Sequence, residues 1–347
     1  MPLAVRTLLA CVAAGAAALG LSACGAASRR PATAPPPTSP TKPTTTERTT
    51  ATATTTSAST SAAALPGTGR PTVTIGDKNF TEQFLLGELY YLALKAQGFS
   101  VVLNRNIGPT EVTIQALQSG RLSMYPEYID TWNTAVAGYK HRFSTAYGAY
   151  QAGERYALAH GLELLDATPF SDTDAVGVTF NYSVQNGIAS ISDLAKVASS
   201  LTFGAPPQFQ QAPTGLPLVE QAYGIIPAAF KPLPVGGQYQ ALDQGTVQAA
   251  DVNTTDGELI TGNYTLLKDP KHVFGWGNVA PVVPVRVLDA EGPAFAGTIN
   301  QVSALLSTAV MRQLNAAVDI SGVDPGVVAR QFLEAHGLVP SAGSGSS

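Results

Sequence analysis

Thr72-Val73-Thr74-Ile75-Gly76 reads as a short buried strand, and the residues after it leave little choice of fold class. A helix is expected next, with Asn79 as N-cap and Glu82 three residues on in a capping-box-like start. Its apolar face is Leu85, Leu86, Leu89, Leu92 and Ala93, and Gly98 stands where the helix should end. Ser100 to Leu103 supplies a second strand. Strand, helix and strand in that order form a βαβ unit, which favours a parallel sheet and an α/β fold.

A second helix is expected from Thr110, after Gly108-Pro109, closing with Gln115-Ala116-Leu117-Gln118-Ser119-Gly120. The strand Arg121 to Tyr125 would come next and deliver Tyr125-Pro126-Glu127-Tyr128-Ile129-Asp130-Thr131 at its end. The same order recurs as Gln240-Ala241-Leu242-Asp243-Gln244-Gly245, a strand from Thr246 to Val252, then Asn253-Thr254-Thr255-Asp256. Between them, Ile191-Ser192-Asp193-Leu194 marks a helix entry, Leu201 to Gly204 a strand and Thr214 to Tyr223 a helix. Val302 to Ala316 and Pro325 to His336 read as helices that would pack on the first lobe. The repeated device predicts two α/β lobes facing one cleft. Ligands of open α/β sheets lie beyond the carboxyl ends of the strands. That places Lys78-Asn79-Phe80-Thr81-Glu82-Gln83 and Tyr125 to Thr131 at the cleft. Their cation, amide, hydroxyls, carboxylates and tyrosine rings suit a small polar or zwitterionic molecule better than a phosphate, a metal or a nucleic acid.

The chain ends carry a different message. Arg6 and the apolar stretch Thr7 to Leu21 form an export signal too short to be a comfortable membrane span. The stretch ends in Leu21-Ser22-Ala23-Cys24, which resembles the bacterial lipobox; that resemblance implies cleavage after residue 23 and lipid on Cys24. The other cysteine, Cys11, would be discarded with the signal, so the mature chain could form no internal disulfide. Residues 24–70 are rich in Ala, Thr, Ser and Pro and almost devoid of large apolar side chains. Such a stretch cannot offset its ordering entropy and is expected to be a disordered tether. Residues 341–347 read as a frayed tail. The folded part, about 71–340, exceeds a typical single core, consistent with two lobes. The net charge of −4, without long runs of Lys and Arg, argues against nucleic acid or an anionic membrane surface as partner. The lipid would be the sole membrane attachment.

Enzyme signatures are sparse. His141, His160, His272 and His336 are scattered, with no metal-ligand neighbour at i+3 or i+4. Gly275-Trp276-Gly277 lacks the third glycine and the strand–helix setting of a dinucleotide loop. The folded part has no Gly-x-Ser-x-Gly elbow. No cofactor, metal or catalytic role is expected.

Taken in order, Lys78-Asn79-Phe80-Thr81-Glu82-Gln83, Gly108-Pro109-Thr110, Ala116-Leu117-x-x-Gly120, Tyr125-Pro126-Glu127-Tyr128, Ile191-Ser192-Asp193-Leu194 and Thr254-Thr255-Asp256-Gly257 resemble the glycine betaine/carnitine/choline-binding proteins of ABC importers. The resemblance implies a type II periplasmic-binding-protein fold, two α/β lobes with a two-segment hinge closing over a solute. Lobe 1 would comprise 71–171 and 254–340, and lobe 2 would comprise 172–253. It further implies a monomeric, lipid-anchored protein on the outer face of the cell membrane, working with a permease and a separate ATPase. Proteins of the family hold a quaternary ammonium in a box of tyrosines and its carboxylate through a lysine, a threonine and an arginine. A trimethylammonium has no N–H to donate, so aromatic faces hold it at about 0.5–2 kcal/mol each. By motif position, Lys78 would be the carboxylate lysine, Thr131 the hydroxyl partner and Tyr128 one wall of the box. Asn253 falls where the family often has another tyrosine; Asp172 and Asp174 fall where the chain would first cross between the lobes, and one family position there is also often aromatic. Gln83, Asp130 and Thr255 complete the expected ligand set.

Two departures bear on the solute. Phe209-Gln210-Gln211-Ala212-Pro213-Thr214-Gly215 has Ala212 where the family arginine is expected, and Ile129-Asp130 replaces the usual Thr-Gly. Fewer rings, more carboxylates and no arginine suit choline, or a neutral polyhydroxylated or aromatic solute, better than a betaine. Position alone leaves other roles open: Lys78 as a surface lysine, Tyr128 as a core or lobe-interface ring, and Asp130 and Asp174 as turn residues. Tyr125 is expected to be structural, Phe274 and Trp276 to pack in the core, and Glu127 with Asp130 to be no acid/base pair. A cell-surface sensor or scaffold that kept the fold remains the rival from another class.

Overall fold

The computed structural model describes residues 64–341. The expected signal peptide, Cys24, the tether up to residue 63 and the tail from residue 342 lie outside the described residues. The last tether residues depart from expectation. Leu65 to Arg70 form a turn over the end of the first helix, with Gly67 N donating to Gln97 O at 2.9 Å and Arg70 Nη1 to Ala290 O at 2.9 Å.

Strands Thr72–Gly76 and Ser100–Asn104 pair in parallel, bracketing the helix Thr81–Ala96 as the βαβ reading requires. Leu85, Leu86, Leu89 and Leu94 of that helix are fully buried against Val73 and Ile75 and the C-terminal helices Pro293–Leu305, Thr308–Asp319 and Pro325–Ala335. The expected single helix from Val302 to Ala316 is instead two, bent by 87°. Leu306 is buried at the corner, and Ser307 restarts the helix by accepting a hydrogen bond from Val310 N.

The N-cap differs too. Phe80, with extended backbone, holds that position without a side-chain bond, and Asn79 is exposed. Glu82 does not close a capping box; its side chain turns inward, where Tyr128 and Asn315 donate to it.

The helix–glycine–strand device appears in both halves with one hydrogen-bond pattern. Arg121 N and Leu122 N return to Ala116 O, while Thr246 N and Val247 N return to Ala241 O. Gly120 and Gly245 make these turns possible at φ +78° and +65°, the left-handed region that glycine enters without penalty. The strands therefore start later than the sequence suggests, at Tyr125–Tyr128 and Ala249–Asn253. Residues 121–124 and 246–248 spend their N–H groups on the helix end and on the neighbouring strand.

Tyr125–Tyr128 pairs antiparallel with Val279–Pro284, which pairs antiparallel with Leu162–Leu164. A five-stranded mixed sheet forms the other lobe, in the order Ala229–Pro232, Thr202–Ala205, Ala249–Asn253, Asp174–Thr179, Tyr264–Leu266. Its own core gathers Val176, Phe203, Phe209, Val219 and Leu267. The strand Tyr264–Leu266 lies beyond the expected lobe limit at residue 253, because it pairs with Asp174–Thr179 and Leu267 fills that core.

Two segments cross between the lobes side by side. Ser171 bridges Asn278, Asp172 N donates to Gly277 O at 3.0 Å, and Gly277 N donates to Ser171 Oγ at 3.0 Å. They approach so closely that a Cβ on Gly277 would stand 1.7 Å from Asp172 O.

Candidate functional site

A cavity of about 540 Å³ opens where the crossing segments meet both lobes. One wall comes from the first helix start and the strand Tyr125–Tyr128. Because Phe80 precedes the helix, its side chain stays off the buried face and stacks on Tyr128, ring centroids 6.0 Å apart. The Tyr128 hydroxyl donates to Glu82 Oε1 at 2.9 Å, which fixes the ring. Immediately after Tyr128, Ile129–Thr131 forms a helical turn that widens into a π-type turn over Trp132–Val136. Trp132 is fully buried and anchors that turn, so Asp130, Thr131 and Thr134 all line the cavity.

The opposite wall arises from strand pairing. Asp174 and Asn253 are register partners on antiparallel strands and therefore share one face of the sheet. Asp172, in the first crossing segment, lies between the two walls, and Phe274 and Gly275 close the second crossing. Arg142, from the loop before the helix Ala146–Ala159, also reaches the cavity.

Acid groups dominate. Burial pushes the Asp172 carboxyl well above its usual range, reinforced by the neighbouring Glu82 carboxylate. Burial and the Asp130 charge raise Asp174 to about 6. Burial raises Asp130 as well, offset by the Trp276 N–H and by Arg142. Behind the wall, burial plus the charges of Asp174 and Asp256 push Asp251 to about 9. Such a set is starved of positive charge.

Six of the expected ligand residues line the cavity: Tyr128, Asp130, Thr131, Asp172, Asp174 and Asn253. Lys78, Gln83 and Thr255 do not. Lys78 is neither a surface lysine nor a cavity group: its ammonium is buried 2.5 Å from Glu127 Oε1 and donates to Thr110 Oγ1 at 2.9 Å. Gln83 is fully buried, donating to Pro126 O and accepting from Lys78 N. Thr255 is buried and its carbonyl accepts from Asn315 Nδ2 at 2.9 Å. Polar groups that the motif offers to a solute are instead used by the protein on itself.

Glu127 accepts from Lys78 and Thr110 and does not line the cavity, and Tyr125 is fully buried. Trp276 packs with the first lobe and donates from Nε1 to Phe143 O at 2.8 Å, but Phe274 lines the cavity rather than only packing. Phe80, Arg142, Thr134 and Thr214 also line the cavity; the sequence puts Phe80 in a cleft segment but singles out none of the four as a ligand residue. Phe80 carries a usable signal, an aromatic residue next to a helix start; Arg142 carries none, being placed by a loop. Ala212 lies off the cavity, and Thr214 two residues on lines it.

Among the described residues no group of three or more His, Cys, Asp or Glu side chains is arranged to hold a metal ion. No single helix among them is long and apolar enough to cross a membrane. What the cavity offers is aromatic faces and carboxylates for a cation, with one guanidinium, hydroxyls and an amide for the rest of a solute.

Residues 71–335 match the family model described as the substrate binding domain of ABC-type glycine betaine transport system. A glycine-betaine-binding protein of Pseudomonas aeruginosa is 32% identical over 291 residues, covering 80% of this chain and 92% of that protein. The glycine betaine-binding protein YehZ of Escherichia coli is 30% identical over 289 residues, covering 79% and 93%. A crystal structure described as a glycine betaine/carnitine/choline ABC transporter superposes with a TM-score of 0.72 at 24% identity, over 77% of this chain and 99% of that one. The architecture is that of the type II periplasmic-binding proteins.

Proposed function

This chain belongs to the family of substrate-binding domains of ABC-type glycine betaine transport systems, which are transport proteins and not enzymes, and on that premise we propose that it captures a quaternary amine in the cavity between its lobes. The observation that carries this reading is the meeting of the stacked Phe80–Tyr128 pair with Asp130, Asp172 and Asp174 in one cavity. A quaternary ammonium needs no hydrogen bonds, gains from ring faces, and neutralises carboxylates that burial has made costly to ionise. Arg142 lines the same cavity, and its guanidinium would pair with the carboxylate of a betaine or carnitine.

The protein acts as a monomer tethered through lipid on Cys24 to the outer face of the cell membrane. It delivers the solute to a permease powered by a separate ATPase. Contacts made from both lobes favour the closed state by differential affinity, the general route to ligand-driven closure.

Calorimetry with glycine betaine, choline and carnitine tests the reading. Saturable binding of at least one is expected, and the reading fails if none binds at millimolar concentration. Intact-mass measurement of the protein from its native membrane tests the lipid on Cys24.

A further inference from the structure

The carboxylates around the cavity are not equally satisfied. Glu82 accepts from Tyr128 Oη on one oxygen and from Asn315 Nδ2 on the other. Asp256 Oδ2 accepts from Tyr239 Oη at 2.7 Å and from Asn253 N at 2.9 Å. Asp172 is different. Its Oδ2 has a long 3.4 Å contact from Asn253 Nδ2, the Thr255 hydroxyl lies near enough to favour the ionised carboxyl, and its Oδ1 is buried without a bonded partner. Asp251 Oδ1 is also unpartnered, but Asp251 does not line the cavity, whereas Asp172 does. A carboxylate can accept about four hydrogen bonds, so Oδ1 of Asp172 keeps capacity for a donor.

Its position is fixed. Asp172 N is bonded to Gly277 O, and the two crossing segments are in backbone contact there. It is also next to the aromatic wall, near enough for its charge to raise the Tyr128 phenol. A trimethylammonium resting on Tyr128 brings no N–H to Asp172, and a betaine carboxylate would bring only further acceptors. A hydroxyl two carbons from the ammonium nitrogen brings the missing donor.

Resting on the proposed capture of a quaternary amine, we propose that the solute is one bearing a hydroxyl group, and that Asp172 selects it by accepting a hydrogen bond from that hydroxyl. Leaving a buried acceptor unpaired is penalised more heavily than pairing it is rewarded, so a solute lacking the donor is rejected.

The test is a matched pair of ligands measured by calorimetry on the full mature chain: choline, and ethyltrimethylammonium, which has a hydrogen in place of the hydroxyl. In the wild type choline should bind at least about tenfold tighter, the ratio that one hydrogen bond to a charged group supports. Asp172→Asn keeps an acceptor oxygen but loses the charge, and should keep only part of that preference, because a neutral hydrogen bond is roughly half as strong. Asp172→Ala should bring the ratio close to one, while its melting curve reports whether it is folded. A purely structural role would weaken both ligands equally and leave the ratio unchanged, which would overturn the proposal. Equal affinities in the wild type would overturn it without recourse to either variant, while leaving quaternary-amine capture intact. Absence of binding by both ligands, and by glycine betaine and carnitine, would instead remove the underlying reading and this proposal with it.

Discussion

Lys78 Nζ lies 2.5 Å from Glu127 Oε1, and both side chains are almost wholly buried. This ion pair joins the start of the first helix to the strand that carries Tyr128, and Thr110 Oγ1 and Tyr128 N complete the shell around it. Removing one partner leaves an uncompensated buried charge. Lys78→Met is therefore expected to cost about 3–5 kcal/mol in urea denaturation. Any folded fraction should bind choline nearly as well as the wild type. A large loss of affinity with unchanged stability would restore Lys78 to the solute.

The ring wall and its anchor can be separated. Phe80→Ala removes one aromatic face, at about 0.5–2 kcal/mol or roughly 2–30-fold in Kd for a quaternary amine. Tyr128→Phe keeps the face but deletes the donor to Glu82. That variant should lose about 1–3 kcal/mol of stability with affinity little changed. Calorimetry and chemical denaturation on the same samples resolve the two effects.

Affinity for choline should depend on pH through Asp174, which burial and Asp130 raise to about 6. A bound cation favours the ionised carboxylate, so binding strengthens as pH rises through 6 and levels off above 7. At pH 5 only about one tenth of that group is ionised, and Kd should be weaker by up to about tenfold. Asp174→Asn should flatten the profile measured by calorimetry between pH 5 and 8.

Stability of the solute-free protein should run the opposite way. Asp174 and Asp251 hold protons in the folded state up to about 6 and about 9, whereas in the unfolded chain they ionise near 4. Between those limits the folded state binds more protons than the unfolded one, so this contribution falls as pH rises from about 4 to about 9. A melting-temperature scan over that range should decline less steeply in Asp251→Asn.

Gly277→Ala tests the crossing. Its Cβ would stand 1.7 Å from Asp172 O, so the two segments must separate. A loss of at least about 1–3 kcal/mol is expected on denaturation, together with weaker solute binding.

Local chemistry is legible in the sequence, and distant pairing is not. The βαβ unit and both helix–glycine–strand turns can be read because each depends on residues a few positions apart. Asp172, Asp174 and Asn253 are placed at the cleft by their motif positions, and the register of two strands brings the last two together. Lys78 escapes such reading because its partner Glu127 is set by tertiary packing, and no pattern in Lys78 to Gln83 says which polar group faces inward. The first helix likewise gives up its expected Asn79 cap and Glu82 box to a bond between Glu82 and Tyr128 that local rules do not contain. Arg142 reaches the cavity through a loop whose course the sequence leaves open.

Most of the side chains that line the cavity sit on the two crossing segments, at the paired ends of two interior strands and on the short turn after Tyr128. Very few of them belong to the hydrophobic interiors of either lobe. Cargo identity is thereby uncoupled from the scaffold that presents it. A handful of exchanges at Asp130, Asp172, Asp174 and Asn253 could retarget the cavity to another small molecule while the cores of both lobes stay as they are.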